Sequence, residues 1–167
     1  MYQVGDVVRH PNAGVCEIQE IREQRFGNLP PQQYYILKPL YAKAATTVYT
    51  PVDSPKVPLR KLLSEGELDA LLVRVPEAWL TWGENEPERH AQFGEILRGS
   101  DLVAVIRLIV LLHEKQKERQ AQGKQLRVGD KKYLEEAKRL LHQEFAYAKD
   151  LDPEEVPGYI MEKLGLE

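Results

Sequence analysis

The 167-residue chain has one cysteine, Cys16, which excludes an internal disulfide, and no group of Cys and His at metal-ligand spacing takes its place. Its apolar runs are short. Residues 108–112 form one of the longest, far below the roughly 20 residues a membrane-spanning helix needs. No basic stretch followed by an apolar one opens the chain, so the expected location is cytoplasmic. Catalytic patterns are missing too: there is neither a glycine-rich phosphate loop nor G-x-S-x-G, and Gly27 and Gly66 stand alone. His113-Glu114 begins a metalloprotease motif, but the second histidine would fall at 117, which is Lys117. The other histidines, His10, His90 and His142, are scattered, and Cys16 sits in a strand with no neighbouring base. These absences point to a protein that is not an enzyme and holds no cofactor or metal.

Positive charge is also lacking overall. The net charge is −3, which argues against a protein that coats nucleic acid. The charge is unevenly distributed, however. It is +3 over residues 1–63, −6 over 64–106, +5 over 107–139 and −5 over 140–167. A basic stretch between acidic flanks suits a protein brought to DNA by another partner, and equally suits a solvated, salt-bridged helix.

What is present divides in two. Up to about residue 60 the chain alternates with period two, carries β-branched and aromatic residues, and is punctuated by Gly, Pro and Asn. Strands are expected near residues 7–10, 14–25, 33–38, 46–51 and 57–60. So few strands and such short turns predict a small antiparallel β-barrel of the SH3 or Tudor kind, closed to remove its edges. After residue 60 the period becomes helical, beginning at the capping-box pair Ser64 and Glu67. The expected fold class is therefore α+β, with a β domain over residues 1–63 and a compact helical bundle over 64–167.

Within the bundle, helices are expected at 65–74, at a short piece carrying Trp79 and Trp82, and at 87–97, where Gly99 could take a left-handed C-terminal conformation. A central apolar helix then follows Ser100 to about 120. Another runs from an Asp130 N-cap to about 148, and a last one is announced by Asp152-Pro153 and stopped at Gly165. On the helix after Asp130, Leu134, Ala137, Leu141, Phe145 and Ala148 make the buried stripe. Beside it Lys131, Lys138, His142 and Lys149 fall near one line, with Lys132 and Arg139 further out. This arc could follow a phosphate backbone or be a plain solvated face. Trp79 and Trp82, three apart, are either core residues or, for Trp82, an exposed ring able to wedge between bases.

The chain resembles the CarD/CdnL family of bacterial RNA polymerase-binding transcription regulators, whose N-terminal domain is related to the polymerase-interacting domain of transcription-repair coupling factors. The resemblance is carried by Val4-Gly5-Asp6-Val7-Val8-Arg9-His10-Pro11, Gly14-Val15, Tyr34-Tyr35-Ile36-Leu37-Lys38, Pro51-Val52-Asp53 and Leu59-Arg60. In the second half it continues through Arg89, Gly99-Ser100-Asp101, Val105-Ile106-Arg107, Gly129-Asp130-Lys131-Lys132-Tyr133-Leu134, Ala137-Lys138 and Glu144-Phe145-Ala146. The segment Pro153-Glu154-Glu155-Val156-Pro157-Gly158-Tyr159-Ile160 looks like the closing helix of clostridial-type members.

The resemblance implies a Tudor-like domain on the polymerase β subunit, with Gln24, Arg25, Tyr35 and Tyr49 as the contacting residues. It also implies a helical domain at the upstream edge of the promoter bubble. That domain would meet minor groove and backbone with little sequence specificity through Trp82, Arg89, Lys131, Lys132, Lys138 and Arg139. Trp82 precedes Arg89 by seven residues, a longer interval than in many relatives, which an insertion at 83–87 accounts for. The protein is expected to act as a monomer and to modulate open-complex stability. The alternative is a protein–protein adaptor whose helical half has no DNA role.

Overall fold

The computed structural model describes residues 1–54, 56–77, 80–99 and 101–165. The chain separates into two compact units, Met1–Leu63 and Ser64–Glu167.

The first unit is an antiparallel sheet of β1 (Val7–His10), β2 (Gly14–Gln24), β3 (Gln32–Pro39), β4 (Val48–Pro51) and β5 (Arg60–Lys61), ordered β4-β3-β2-β1-β5. The β1–β2 turn is closed by His10, whose Nδ1 accepts from the N–H groups of Asn12 (3.1 Å) and Ala13 (2.9 Å), while Gly14 supplies the left-handed residue at φ 79°. Against β3, Ile18 pairs with Leu37 but Glu20 with Ile36, so Gln19 is an extra residue in a β-bulge. The bulge shifts the inward parity of β2: Cys16 and Ile18 point into the core before it and Ile21 after it, packed with Val8, Tyr35 and Leu37. That shift is why β2 alternates only partly.

The sheet is not the closed barrel expected from the sequence. β4 and β5 remain as edges of an open sheet. β5 offers only two residues for pairing, and Pro51 and Pro58 at the ends of the edge segments have no N–H to donate to a closing ladder.

The second unit contains α1 (Glu65–Arg74), a 3₁₀ turn (Val75–Glu77), α2 (Glu86–Arg98), α3 (Leu102–Ala121), α4 (Val128–Lys149), a second 3₁₀ turn (Pro153–Glu155) and α5 (Val156–Leu164). The box at α1 forms in both directions, Glu67 N–H donating to Ser64 Oγ (3.2 Å) and Ser64 N–H to Glu67 Oε2 (3.0 Å). Asp101 caps α3 by accepting from the N–H groups of Val103 and Ala104. α3 buries Val105, Ile106, Leu108, Val110 and Leu112, and α4 sets Leu134, Ala137, Leu141 and Phe145 against the same core. At the far end of α4, Lys149 Nζ donates to Asp69 (2.8 Å) and Glu65 (3.1 Å) of α1, and Tyr159 of α5 donates to Asp69 (3.0 Å). The Lys149 bond holds the Asp69 carboxyl below the usual range.

Three local expectations are corrected. Trp82 is not on a helix but in the irregular segment before α2; Trp79 lies outside the described residues. Gly99 closes α2 in an extended conformation (φ −78°, ψ 174°) rather than a left-handed one. Asp130 is not the N-cap of α4, which starts two residues earlier after Arg127, because its carboxylate is committed to a tertiary partner.

Candidate binding surfaces

The helical unit builds one site around Trp82. Asn85 caps α2 by accepting from Glu88 N–H, which fixes Arg89 in the first turn. Arg89 is 3% exposed. It donates through Nη1 to the Gly83 carbonyl (2.8 Å) and through Nε and Nη2 to Asp130 (3.1 and 3.0 Å), a two-pronged ion pair joining α2 to α4. His90 Nε2 donates to the same carboxylate at 2.9 Å, since an ionised Asp can only accept. The guanidinium carbon of Arg89 lies 4.3 Å from the centre of the Trp82 ring, and Lys115 Nζ lies 5.1 Å from it. Phe93, fully buried, packs at 6.1 Å. The indole is thus half-buried and held in one orientation by groups that are themselves fixed.

Beside the ring is a cavity of about 90 Å³ lined by Trp82, Glu84, Arg89, Lys115, Arg119, Arg127 and Asp130. Arg119 is steadied by its Nε bond to the Gln125 carbonyl (2.6 Å), and Arg127 lies 3.7 Å from Glu86. Arg89 and Asp130 neutralise one another, and the other charges of the lining are Arg119, Arg127, the opposing Glu84, and Lys115, which is ion-paired with Glu118 at 3.3 Å.

Gly129 is required at this site. A Cβ there would come within 2.6 Å of His90 Cε1, and His90 is held by Asp130 and by Tyr133, whose ring is 4.9 Å away. Gly129→Ala is expected to destabilise the protein by about 1–3 kcal/mol through overpacking, read as a lower urea midpoint.

Of the six residues expected to meet DNA, Trp82 and Arg89 lie against one another and the other four are on α4. The donors of Arg89 are engaged inside the protein, and it supports Trp82 from behind. Much of the α4 arc has partners within the unit. Lys138 sits 3.7 Å from Glu135, Arg139 donates to Glu136 at 2.7 Å, His142 is buried, and Lys149 is half-buried and paired with Asp69. Lys131 and Lys132 are exposed, and Lys131 lies one turn after Arg127. The cations that surround Trp82 come instead from the end of α3 and the start of α4. Their signal in the sequence was the i,i+4 spacing of Lys115 and Arg119 within the +5 segment.

In the β unit, Phe26 stacks edge-on against Tyr34 (5.1 Å) and Tyr49 (5.2 Å). Phe26, Leu29 and Tyr49 are exposed, Arg25 is exposed and Gln24 half-buried. The register places Gln24, Tyr34, Ile36 and Tyr49 on one face. Tyr35 is a correction: it pairs with Ile21 and Thr50 on the opposite face, is 3% exposed, and accepts at its hydroxyl from Tyr2 N–H. Beside Tyr49, β4 has β3 on one side only.

Among the described residues no group of three or more His, Cys, Asp or Glu could hold a metal, and no helix is long and apolar enough to cross a membrane. Burial pushes the Cys16 thiol up to about 11, which makes it a poor nucleophile.

Residues 2–63 match the family described as CarD-like/TRCF RID domain, and residues 82–161 match the CarD C-terminal domain. No curated protein matches the chain. With a sheet unit and a helical unit each matching its counterpart in the same order, the chain belongs to the CarD/CdnL family of RNA polymerase-interacting transcription regulators.

Proposed function

We propose that the sheet unit grips the polymerase β subunit and that the helical unit sets Trp82 against the upstream edge of the promoter bubble, modulating open-complex stability without catalysis. In this role the protein acts as a cytoplasmic monomer. The observation that carries the reading is the Trp82 site: an aromatic ring held by a buried ion pair and rimmed by Lys115, Arg119 and Arg127. A ring in such a setting can stack on or wedge between bases while the cations meet adjacent phosphates. Lys131 and Lys132 are exposed near the start of α4, while Lys138 and Arg139, like Lys115 with Glu118 and Arg127 with Glu86, have carboxylate partners to exchange for phosphates. Few phosphate contacts suffice when a second interface already holds the protein near the promoter.

On the sheet, Phe26, Leu29 and Tyr49 supply an apolar contact with Gln24 and Arg25 at its border, and the open β4 edge can accept a strand from the polymerase.

Trp82→Ala is expected to leave copurification with polymerase intact and to change open-complex lifetime by about tenfold, the size of one stacked base. Lys115→Gln with Arg119→Gln is expected to change it in the same direction and to flatten its salt dependence. An unchanged lifetime at full polymerase binding leaves only the adaptor role. Tyr49→Arg, by contrast, is expected to abolish copurification.

A further inference from the structure

A second cavity, of about 180 Å³, opens where α3, α4 and α5 meet. Its apolar part is made by Ile109 of α3 and by Ile160 and Met161 of α5. Its polar part is made by His113, Gln116, Lys138 and His142, and no carboxylate is among its described lining residues. His142 is 7% exposed, and its buried Nε2 has no hydrogen-bond partner among the described residues. Lys138, one turn before it on α4, lies 3.7 Å from Glu135.

We propose that this cavity binds a small monocarboxylic acid with an apolar body, its carboxylate at Lys138 and Gln116 and its hydrocarbon against Ile109, Ile160 and Met161. Size favours such a ligand, because a cavity of about 150 Å³ accepts a benzene ring. Charge selects its sign: a lining of donors with a cation and no anion favours a carboxylate over an amine. His142 Nε2 stays enclosed in the wall of the cavity, so the ligand's polar contacts fall to Lys138 and Gln116. Apart from Lys138, the site is formed by residues that take no part in the proposed DNA contact, and it stands whether or not the promoter role does.

Titration calorimetry of the full chain with benzoate, hexanoate and benzamide tests the assignment. Saturable binding of both acids is expected, with benzamide weaker by roughly tenfold, the effect of one charge-assisted contact. Lys138→Gln is expected to lower benzoate affinity by roughly the same factor and leave benzamide unchanged. Gly158→Leu sets a bulky side chain at the lining of the cavity without distorting α5, because a Cβ at Gly158 meets no atom within 4 Å. This variant is expected to keep the wild-type circular dichroism and bind none of the three. Absence of saturable benzoate binding to the wild-type chain overturns the assignment, as does wild-type benzoate affinity in either variant.

Discussion

Asp130→Ala is expected to destabilise the protein by about 3–5 kcal/mol, as a fall in the urea midpoint followed by circular dichroism at the helical band. Asp130 is 1% exposed and Arg89 is 3% exposed, so removing the carboxylate strands a guanidinium in a place water does not reach. His90 loses its acceptor at the same moment. The effect is thus that of an uncompensated buried charge, larger than the net worth of the pair. A double variant, Arg89→Met with Asp130→Leu, removes both charges and is expected to recover most of the loss. Its Trp82 ring has no guanidinium behind it, so acrylamide quenching of tryptophan fluorescence should rise even though stability returns. If the double variant is as unstable as Asp130→Ala, the buried-charge explanation is wrong and the site acts through packing alone.

Acid is expected to weaken the helical unit well before carboxylates protonate in bulk. Burial, with a contribution from the nearby Lys138, lowers the His142 pKa from 6.5 to about 4, so the folded protein keeps this ring neutral. The unfolded chain binds a proton near 6.5 that the folded chain refuses, and stability therefore falls as pH drops through the interval from about 6.5 to about 4. Above that interval the contribution is constant, and across it the loss is about 3 kcal/mol. Burial lowers the His10 pKa too, which adds a slope of the same sign from the β unit. Comparing urea midpoints at pH 7.5 and 4.5 isolates the His142 part: His142→Leu should remove most of the difference, while His10 and the shared carboxylates preserve the remainder. A wild-type slope in His142→Leu excludes His142 as its source.

Both predictions concern groups whose importance is invisible along the chain. The change of period after residue 60 and the boxes and caps at Ser64 and Asp101 are local signals, and they mark the helices well. Asp130 has the look of a cap for the same local reason, and only its encounter with Arg89, 41 positions away, explains why it serves another purpose. The lysine arc depends on distant partners in the same way. A helical wheel aligns Lys131, Lys138, His142 and Lys149, but it contains nothing about α1, where Asp69 takes up Lys149 at a separation of 80 residues. On β2 the alternation reverses at Gln19 because of a bulge, so the strand's two faces look mixed in the sequence. Trp82 was legible as a functional candidate but its companions were not. They gather around it only because Arg119 bonds to the Gln125 carbonyl and the chain doubles back into α4.

The Arg89–Asp130 pair also shapes how this sequence can drift. Changing either residue alone passes through a protein several kcal/mol less stable, so the two positions form one heritable unit that can be exchanged only jointly. The rim cations Lys115, Arg119 and Arg127 carry no such bond between themselves. Each can be gained or lost in a single step, so variation at the rim can retune how strongly the surface meets an anionic partner while the frame beneath Trp82 stays the same.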